Sequence, residues 1–239
     1  MKNNITNITI QTNIHFAAIS EIFTIKNRIY TFLNPVSYLD ASKQKNLFES
    51  FDGIFADGSL LVKAIRILYG KKIERRSFDM TSIAPELFSF AEKENKTIYI
   101  VASKQEEVET AYTIFKEKYP NLNIIGYRNG YFNNDAEKEY AIQEIIQKEP
   151  DFLIVGMGII IQEQFLLKAK QMGFKGIGFT CGGFIHQTSK NEINYYPKWV
   201  DKYNIRFLYR MYKEKHTRKR YIKAGLIFPW IFLKDRLFK

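Results

Sequence analysis

Just past four short apolar runs of this 239-residue chain stand residues able to do chemistry. Asn34-Pro35 follows Ile29 to Leu33, and Asp57-Gly58 follows Gly53 to Ala56. Gly156-Met157-Gly158 and then Gln162-Glu163 follow Phe152 to Val155, and Cys181-Gly182-Gly183 follows Gly176 to Phe179. A carboxylate at a strand mouth can take the proton from an attacking hydroxyl held within hydrogen-bond reach, so Asp57 has a reading as a general base. Its plain alternative is a cap on the helix that begins near Ser59. Gly156-Met157-Gly158 could let a phosphate approach backbone N–H groups. The third glycine of a dinucleotide fingerprint is missing, however, because Ile161 holds that place, and glycine is common punctuation at a strand end. Gln162-Glu163 also has a plain reading, since acidic residues favour the first turn of a helix.

Few rivals for the chemistry exist. His15, His186 and His216 are scattered, and His15 lies between Ile14 and Phe16, the setting of a core histidine. No Ser-His-Asp order with a nucleophile elbow and no Cys/His cluster at metal spacing occurs. Nor is there an Asp-x-Asp pair of the kind that holds a divalent ion against a diphosphate. A diphosphate substrate would therefore be neutralised by arginines, for which Arg75, Arg76, Arg210, Arg218 and Arg220 are available. Cys181 is the single cysteine, which excludes an intramolecular disulfide and fits a reducing cytosolic setting.

These residues need a scaffold. Thr97 to Val101, Asn123 to Ile125, Phe152 to Val155 and Gly176 to Phe179 read as strands, separated by helical patterns over Lys104 to Lys118, Asp135 to Lys148 and Gln162 to Met172. Continuous apolar strands alternating with helices predict an α/β fold, a Rossmann-like three-layer sandwich with a parallel central sheet. Upstream, Ile29 to Leu33 and Gly53 to Ala56 read as further strands, with helices over Val36 to Phe48 and Ser59 to Tyr69. Ligands of such sheets sit outside the carboxyl ends of the strands. Sheet signals stop near Pro197. The expected division is an α/β domain over 1–197 and a basic, aromatic helical appendage over 198–239, with a charged helix from Lys198 to Arg220 and interruptions at Gly225 and Pro229.

Charge is concentrated in that appendage. Eleven of the residues from Arg206 to Lys239 are Lys or Arg against Glu214 and Asp235, giving 11 − 2 = +9 of the chain's net +11. Cations interleaved with Phe207, Tyr209, Tyr212, Tyr221, Phe228, Trp230, Phe232 and Phe238 suit an anionic bilayer surface, a nucleic acid, or phosphates in an active site. Neither a signal peptide nor a run of about 18 apolar residues is present, so a membrane partner implies a protein lying on the surface. Lys223 and Lys234 flank the apolar Leu226 to Leu233, as an interfacial segment requires.

In order and spacing the chain from about Ile29 to Tyr221 resembles the WecG/TagA/CpsF glycosyltransferase family of bacterial surface-polymer synthesis. The matching pieces are Asn34-Pro35, Asp57-Gly58, Glu74-Arg75, the Tyr119-Pro120-x-Leu122-x-Ile124-x-Gly126 run, Gly130-Tyr131-Phe132, Val155 to Glu163, Pro197/Trp199, Leu208-Tyr209-Arg210 and Arg220-Tyr221. Departures fall at Phe32, at Ile160-Ile161, at Tyr195-Tyr196 and at Ile205-Arg206-Phe207, and bear on sugar and acceptor identity. The resemblance implies inverting transfer from a UDP-sugar donor to a lipid-linked glycan acceptor, without a metal or other cofactor, at the cytoplasmic face of the bacterial plasma membrane. It makes Asp57 the catalytic base and Asn34 and Gln162 pocket residues. Glu163, Arg75, Gly156, Gly158, Gly182, Gly183, Arg210, Arg218 and Arg220 complete the expected substrate contacts. An anionic membrane surface is the expected partner, a homo-oligomer is left open, and no nucleic acid is expected. A nucleic-acid-binding protein or a Rossmann-like oxidoreductase is the alternative; the first leaves the strand-end residues without a role, and the absent third glycine and the lack of an apt ribose acid argue against the second.

Overall fold

In the computed structural model, which describes residues 20–191, 197, 199, 200, 203 and 205–237, the apolar runs form one sheet. Its strands are β1 (Arg28–Leu33), β2 (Gly53–Ala56), β3 (Thr97–Ala102), β4 (Asn123–Arg128), β5 (Phe152–Gly156) and β6 (Ile177–Thr180). They lie in the order β2-β1-β6-β5-β3-β4, and every pairing is parallel. The α-helices among the described residues are α1 (Pro35–Ala41), α2 (Lys45–Glu49), α3 (Ser59–Tyr69), α4 (Ile83–Lys93), α5 (Gln105–Lys118), α6 (Asp135–Lys148), α7 (Ile161–Met172), α8 (Phe184–Asn191), α9 (Arg206–Lys213) and α10 (Arg218–Leu237), with 3₁₀ turns at Ser20–Phe23 and Lys215–Thr217.

Alternation along the strands builds two cores. Leu153 and Val155 of β5 join Leu61, Ile142, Phe165 and Leu166 on one face. Phe152 and Ile154 join Leu87, Phe88, Val108 and Phe184 on the other. Both faces are covered, which is why these strands read as continuous apolar runs. The expected Rossmann-like layers are therefore present. Register aligns the carboxyl ends: Leu33 pairs with Ala56, so Asn34 and Asp57 leave the sheet side by side. Val155 pairs with Thr180, and Ala102 with Gly156. Crossovers from β3 and β5 depart to opposite faces, which opens a crevice at this edge.

Three local expectations need correction. The helix expected over Val36 to Phe48 is two helices, because Ser42 Oγ bonds back to Leu39 O (2.9 Å) and the chain turns there before α2. α4 and α8 are helices that the sequence reading left unassigned. The helix expected to reach Arg220 breaks at Glu214, whose carbonyl takes the Thr217 hydroxyl (2.7 Å) and whose carboxylate pairs with Arg210 (3.2 Å). Its early residues lie largely outside the described ones, as do His15 and most of the region around Pro197.

Gly225 and Pro229 do not interrupt α10, which runs through both. Proline inside a helix costs about 3 kcal/mol, partly through the lost hydrogen bond to the residue four before it. Here that residue is the exposed Gly225, whose carbonyl can meet water. Ala224, Phe228 and Phe232 are buried against α1, with Tyr38 edge-on to Phe228 (5.6 Å between centroids) and Phe232 (5.3 Å). Burying such a ring is worth about 2 kcal/mol, so two rings offset the proline. Among the described residues no helix is long and apolar enough to cross a membrane.

Candidate active site

Asp57 follows β2 directly, its N–H held by Leu33 O at 2.7 Å. Gly58, at φ +97°, turns the chain into α3 and is itself the N-cap position, with no side chain capping the helix. The capping role open to Asp57 is thus not taken. Its carboxylate instead faces Arg75, with Oδ1 3.4 Å from Nε. The returning segment is pinned there because Arg76 N–H donates to Ala56 O at 2.9 Å, beyond the end of the strand. Burial raises the Asp57 carboxyl above the usual range, against the pull of Arg75, Arg206 and Arg210, while Asp79 adds to the rise. About a third of the side chain is still open to solvent at the strand mouth (30%). A carboxylate that is basic for its kind, partly open and ringed by cations can accept a proton from a bound hydroxyl.

Asp79 and Arg206, which sequence reasoning missed as site residues, stand behind this pair. Asp79 Oδ2 accepts from Arg75 Nη2 (3.2 Å), Ser77 Oγ (2.7 Å) and Arg206 Nη1 (3.0 Å). Its Oδ1 accepts from the Thr81 N–H (2.8 Å) and hydroxyl (2.6 Å). Burial works to raise Asp79, but Arg75, Arg206 and these hydrogen bonds outweigh it and hold the carboxyl below the usual range. Arg210, one turn along α9 from Arg206, lies over Gly183: a Cβ built there would come within 3.1 Å of Nη2. It also hydrogen-bonds the Tyr221 hydroxyl, whose titration is raised by burial. Arg218 and Arg220 make their contacts elsewhere. Arg218 donates to Met211 O (2.8 Å), and Arg220 sits on the surface 3.6 Å from Asp40.

The amides and Glu163 are tied into the scaffold. Asn34 Oδ1 caps α1 through the N–H groups of Val36 (2.9 Å) and Ser37 (3.0 Å), and Asn34 Cβ lies 3.7 Å from where a Cβ on Gly58 would stand. Its amide nitrogen has no hydrogen bond among the described residues. Glu163 is fully buried and accepts from Thr31 Oγ1 (2.8 Å), Gln162 Nε2 (2.8 Å) and the Ile160 N–H (2.6 Å). Thr180 Oγ1 donates to Thr31 Oγ1 at 2.8 Å, and the Gly182 N–H donates to Gln162 Oε1 at 3.1 Å. Gln162 and Glu163, expected to touch substrate, therefore form a buried chain joining β1, β6, α7 and the β6–α8 loop. Ile160, at φ +73°, is a β-branched residue in the left-handed region at the head of α7.

The glycines divide likewise. Gly158, at φ +84°, is exposed with nothing near a Cβ, so its backbone is open to a ligand. Gly156 is a packing position: an added Cβ would lie 2.6 Å from Cys181 Sγ and 2.8 Å from Gly182 O. Gly156→Ala is expected to destabilise the fold by about 2 kcal/mol, read from urea denaturation, because backbone must move. Cys181 is buried with its thiol pushed up to about 12, an inert core residue. His186 stands apart from Asp57's cluster, its Nδ1 2.8 Å from Glu107 Oε1. Among the described residues no three His, Cys, Asp or Glu side chains are grouped to hold a metal.

A model of the glycosyl transferase WecG/TagA/CpsF family matches residues 2–239. The chain is 36% identical over 211 residues to a UDP-Gal:alpha-D-GlcNAc-diphosphoundecaprenol beta-1,4-galactosyltransferase of Shigella boydii, covering 88% of each protein. It is also 25% identical over 183 residues to an N-acetylglucosaminyldiphosphoundecaprenol N-acetyl-beta-D-mannosaminyltransferase of Bacillus subtilis, covering 75% of this chain and 69% of the relative.

Proposed function

The chain belongs to the WecG/TagA/CpsF glycosyl transferase family, and on that premise we propose that it transfers a hexose from a UDP-sugar, with inversion, to a sugar on a lipid-linked diphosphate, using Asp57 as base. One observation carries the assignment: Asp57 is held at the carboxyl edge of the sheet with its carboxyl raised by burial and faced by Arg75. The acceptor hydroxyl oxygen attacks the anomeric carbon while its proton passes to Asp57. The bond from that carbon to the β-phosphate oxygen breaks, and UDP leaves with the electron pair. Arg210 over Gly183 and the open backbone at Gly158 are the groups best placed to meet diphosphate charge.

A panel of UDP-sugars, UDP-Gal first, with a short-chain GlcNAc-diphosphopolyprenol tests the reaction by UDP release. No release with any donor would overturn the reading.

The reading extends to the membrane surface, with residues 198–239 as a docking appendage and the cytoplasmic face as its place. The apolar run of α10 has two faces. Phe228 and Phe232 pack inward, whereas Ile222, Leu226 and Trp230 recur every fourth residue on the exposed side, among Lys219, Lys223 and Lys234. Such a stripe lays rings into the headgroup region with cations above it. Leu226→Ser with Trp230→Ser is expected to reduce sedimentation with anionic vesicles about tenfold without changing the thermal midpoint. Unchanged sedimentation would exclude this face from docking.

A further inference from the structure

Arg206 and Asp79 have no place in the reaction as proposed above, yet they adjoin its base. Asp79 Oδ2 is shared between Arg75 Nη2 at 3.2 Å and Arg206 Nη1 at 3.0 Å, and Arg206 Nη2 donates to Thr81 Oγ1 at 2.7 Å. These bonds cross from α9 to the segment that carries Arg75, more than 120 residues earlier (206 − 79 = 127). They belong to partly buried groups, with side-chain exposures of 17% for Arg206 and 18% for Asp79. Two hydrogen-bonded arginines on one carboxylate are fixed in direction as well as charge, which a mobile lysine pair would not be.

We propose that Asp79 and Arg206 are positioning residues: through the oxygen of Asp79 that it shares with Arg75, Arg206 fixes the direction of Arg75 and the charge around Asp57. The inference rests on the reading of Asp57 as base. Among the described residues, the charged and titratable groups facing Asp57 fit it. Arg75 and Asp79 come from the segment after α3, Arg206 and Arg210 from α9, and Tyr221 from α10. Two of the three cations thus arrive with the C-terminal helices. Without Arg206, Asp57 loses one of the cations that favour its ionised form, and Asp79 is left with one arginine instead of two. The lost cation makes the Asp57 carboxyl harder to ionise, and the change at Asp79 acts on Arg75. The Asp57 base is then available only at higher pH, and Arg75 has one neighbour fewer to fix its direction.

The full-length chain with UDP-Gal, or whichever UDP-sugar of the panel turns over, tests this through kcat/KM from about pH 5 to pH 9. Arg206→Ala is expected to move the acid limb upward by about one pH unit, which is about tenfold in rate on that limb. Arg206→Lys should restore part of the shift, since it keeps the charge but not the bridge to Thr81. In combination with Asp79→Asn, Arg206→Ala should cost no more than the worse single change. Hydrogen exchange in α9 should rise in both single variants, a readout independent of turnover. A lowered rate with an unmoved acid limb would show that Arg206 only tethers α9 and would overturn the proposal. Asp57→Asn separates the two ideas. If that variant is inactive while the limb of Arg206→Ala stays put, the coupling alone is wrong. If Asp57→Asn keeps full activity, the base assignment fails and takes the coupling with it.

Discussion

Asp57→Asn is expected to lower transfer by about 10²- to 10⁴-fold, the range contributed by a positioned general base. The amide keeps the shape and cannot accept the proton. Donor affinity should change little, because Arg210 and the open backbone at Gly158 are left in place. Stability gives a second, independent sign. Burial raises the Asp57 carboxyl in the fold. A carboxyl whose folded value is raised stabilises most below its unfolded value, and that stability is lost as pH rises through the folded value. Ionising the side chain is therefore a cost to the fold, and the Asn variant should melt no lower than the parent. Single-turnover UDP release and a thermal melt check both parts, and a dead enzyme that also melts early would mean that Asp57 is structural.

Replacing Glu163 by Ala should produce the largest loss of stability, about 3 kcal/mol, or a fall of about 10 °C in Tm for a chain this size. The carboxylate is fully buried and serves three donors, from Thr31, Gln162 and Ile160. Each donor left without a partner in a site closed to water loses its compensation for desolvation. Glu163→Gln keeps the shape and one acceptor and should lose far less. Its pH dependence separates charge from shape. Burial raises Glu163 despite these hydrogen bonds, so the parent is most stable below the ordinary glutamate range and loses that stability as pH rises through the raised value. Urea denaturation across that window should show a slope in the parent that Glu163→Gln lacks. Equal slopes would mean that Glu163 titrates normally.

The strands were legible because burial on both faces leaves a plain mark, an uninterrupted apolar run such as Phe152 to Val155 between helical patterns. The place of Asp57, Asn34 and the glycines at strand ends, where an open parallel sheet presents residues to ligand, was legible from the residues that follow each apolar run. α4 was missed because Pro85 and Ser89 obscure its apolar period, although Leu87, Phe88 and Ala91 are all buried. Pro229 misled in the opposite direction. Local propensity argues for a break there, but the rings of Phe228 and Phe232 against Tyr38 make the continuous helix the better outcome.

By itself, the sequence determined the parallel α/β scaffold, the family and the place of Asp57 at a strand end, because each leaves a mark within a few residues of chain. Only the tertiary structure decided which charges surround Asp57. Arg206 and Asp79 lie 127 positions apart and share a carboxylate oxygen at 3.0 Å, while Arg220, part of a basic cluster that looked more promising, pairs with Asp40 on the surface. It likewise tied Gln162 and Glu163 into a buried chain through Thr31 and Thr180. The reason is the same in both cases. Spacing along the chain sets which face a residue occupies within its own element, but the partner of a charge and its removal from water are set by how elements distant in sequence pack, and electrostatic energy depends on both.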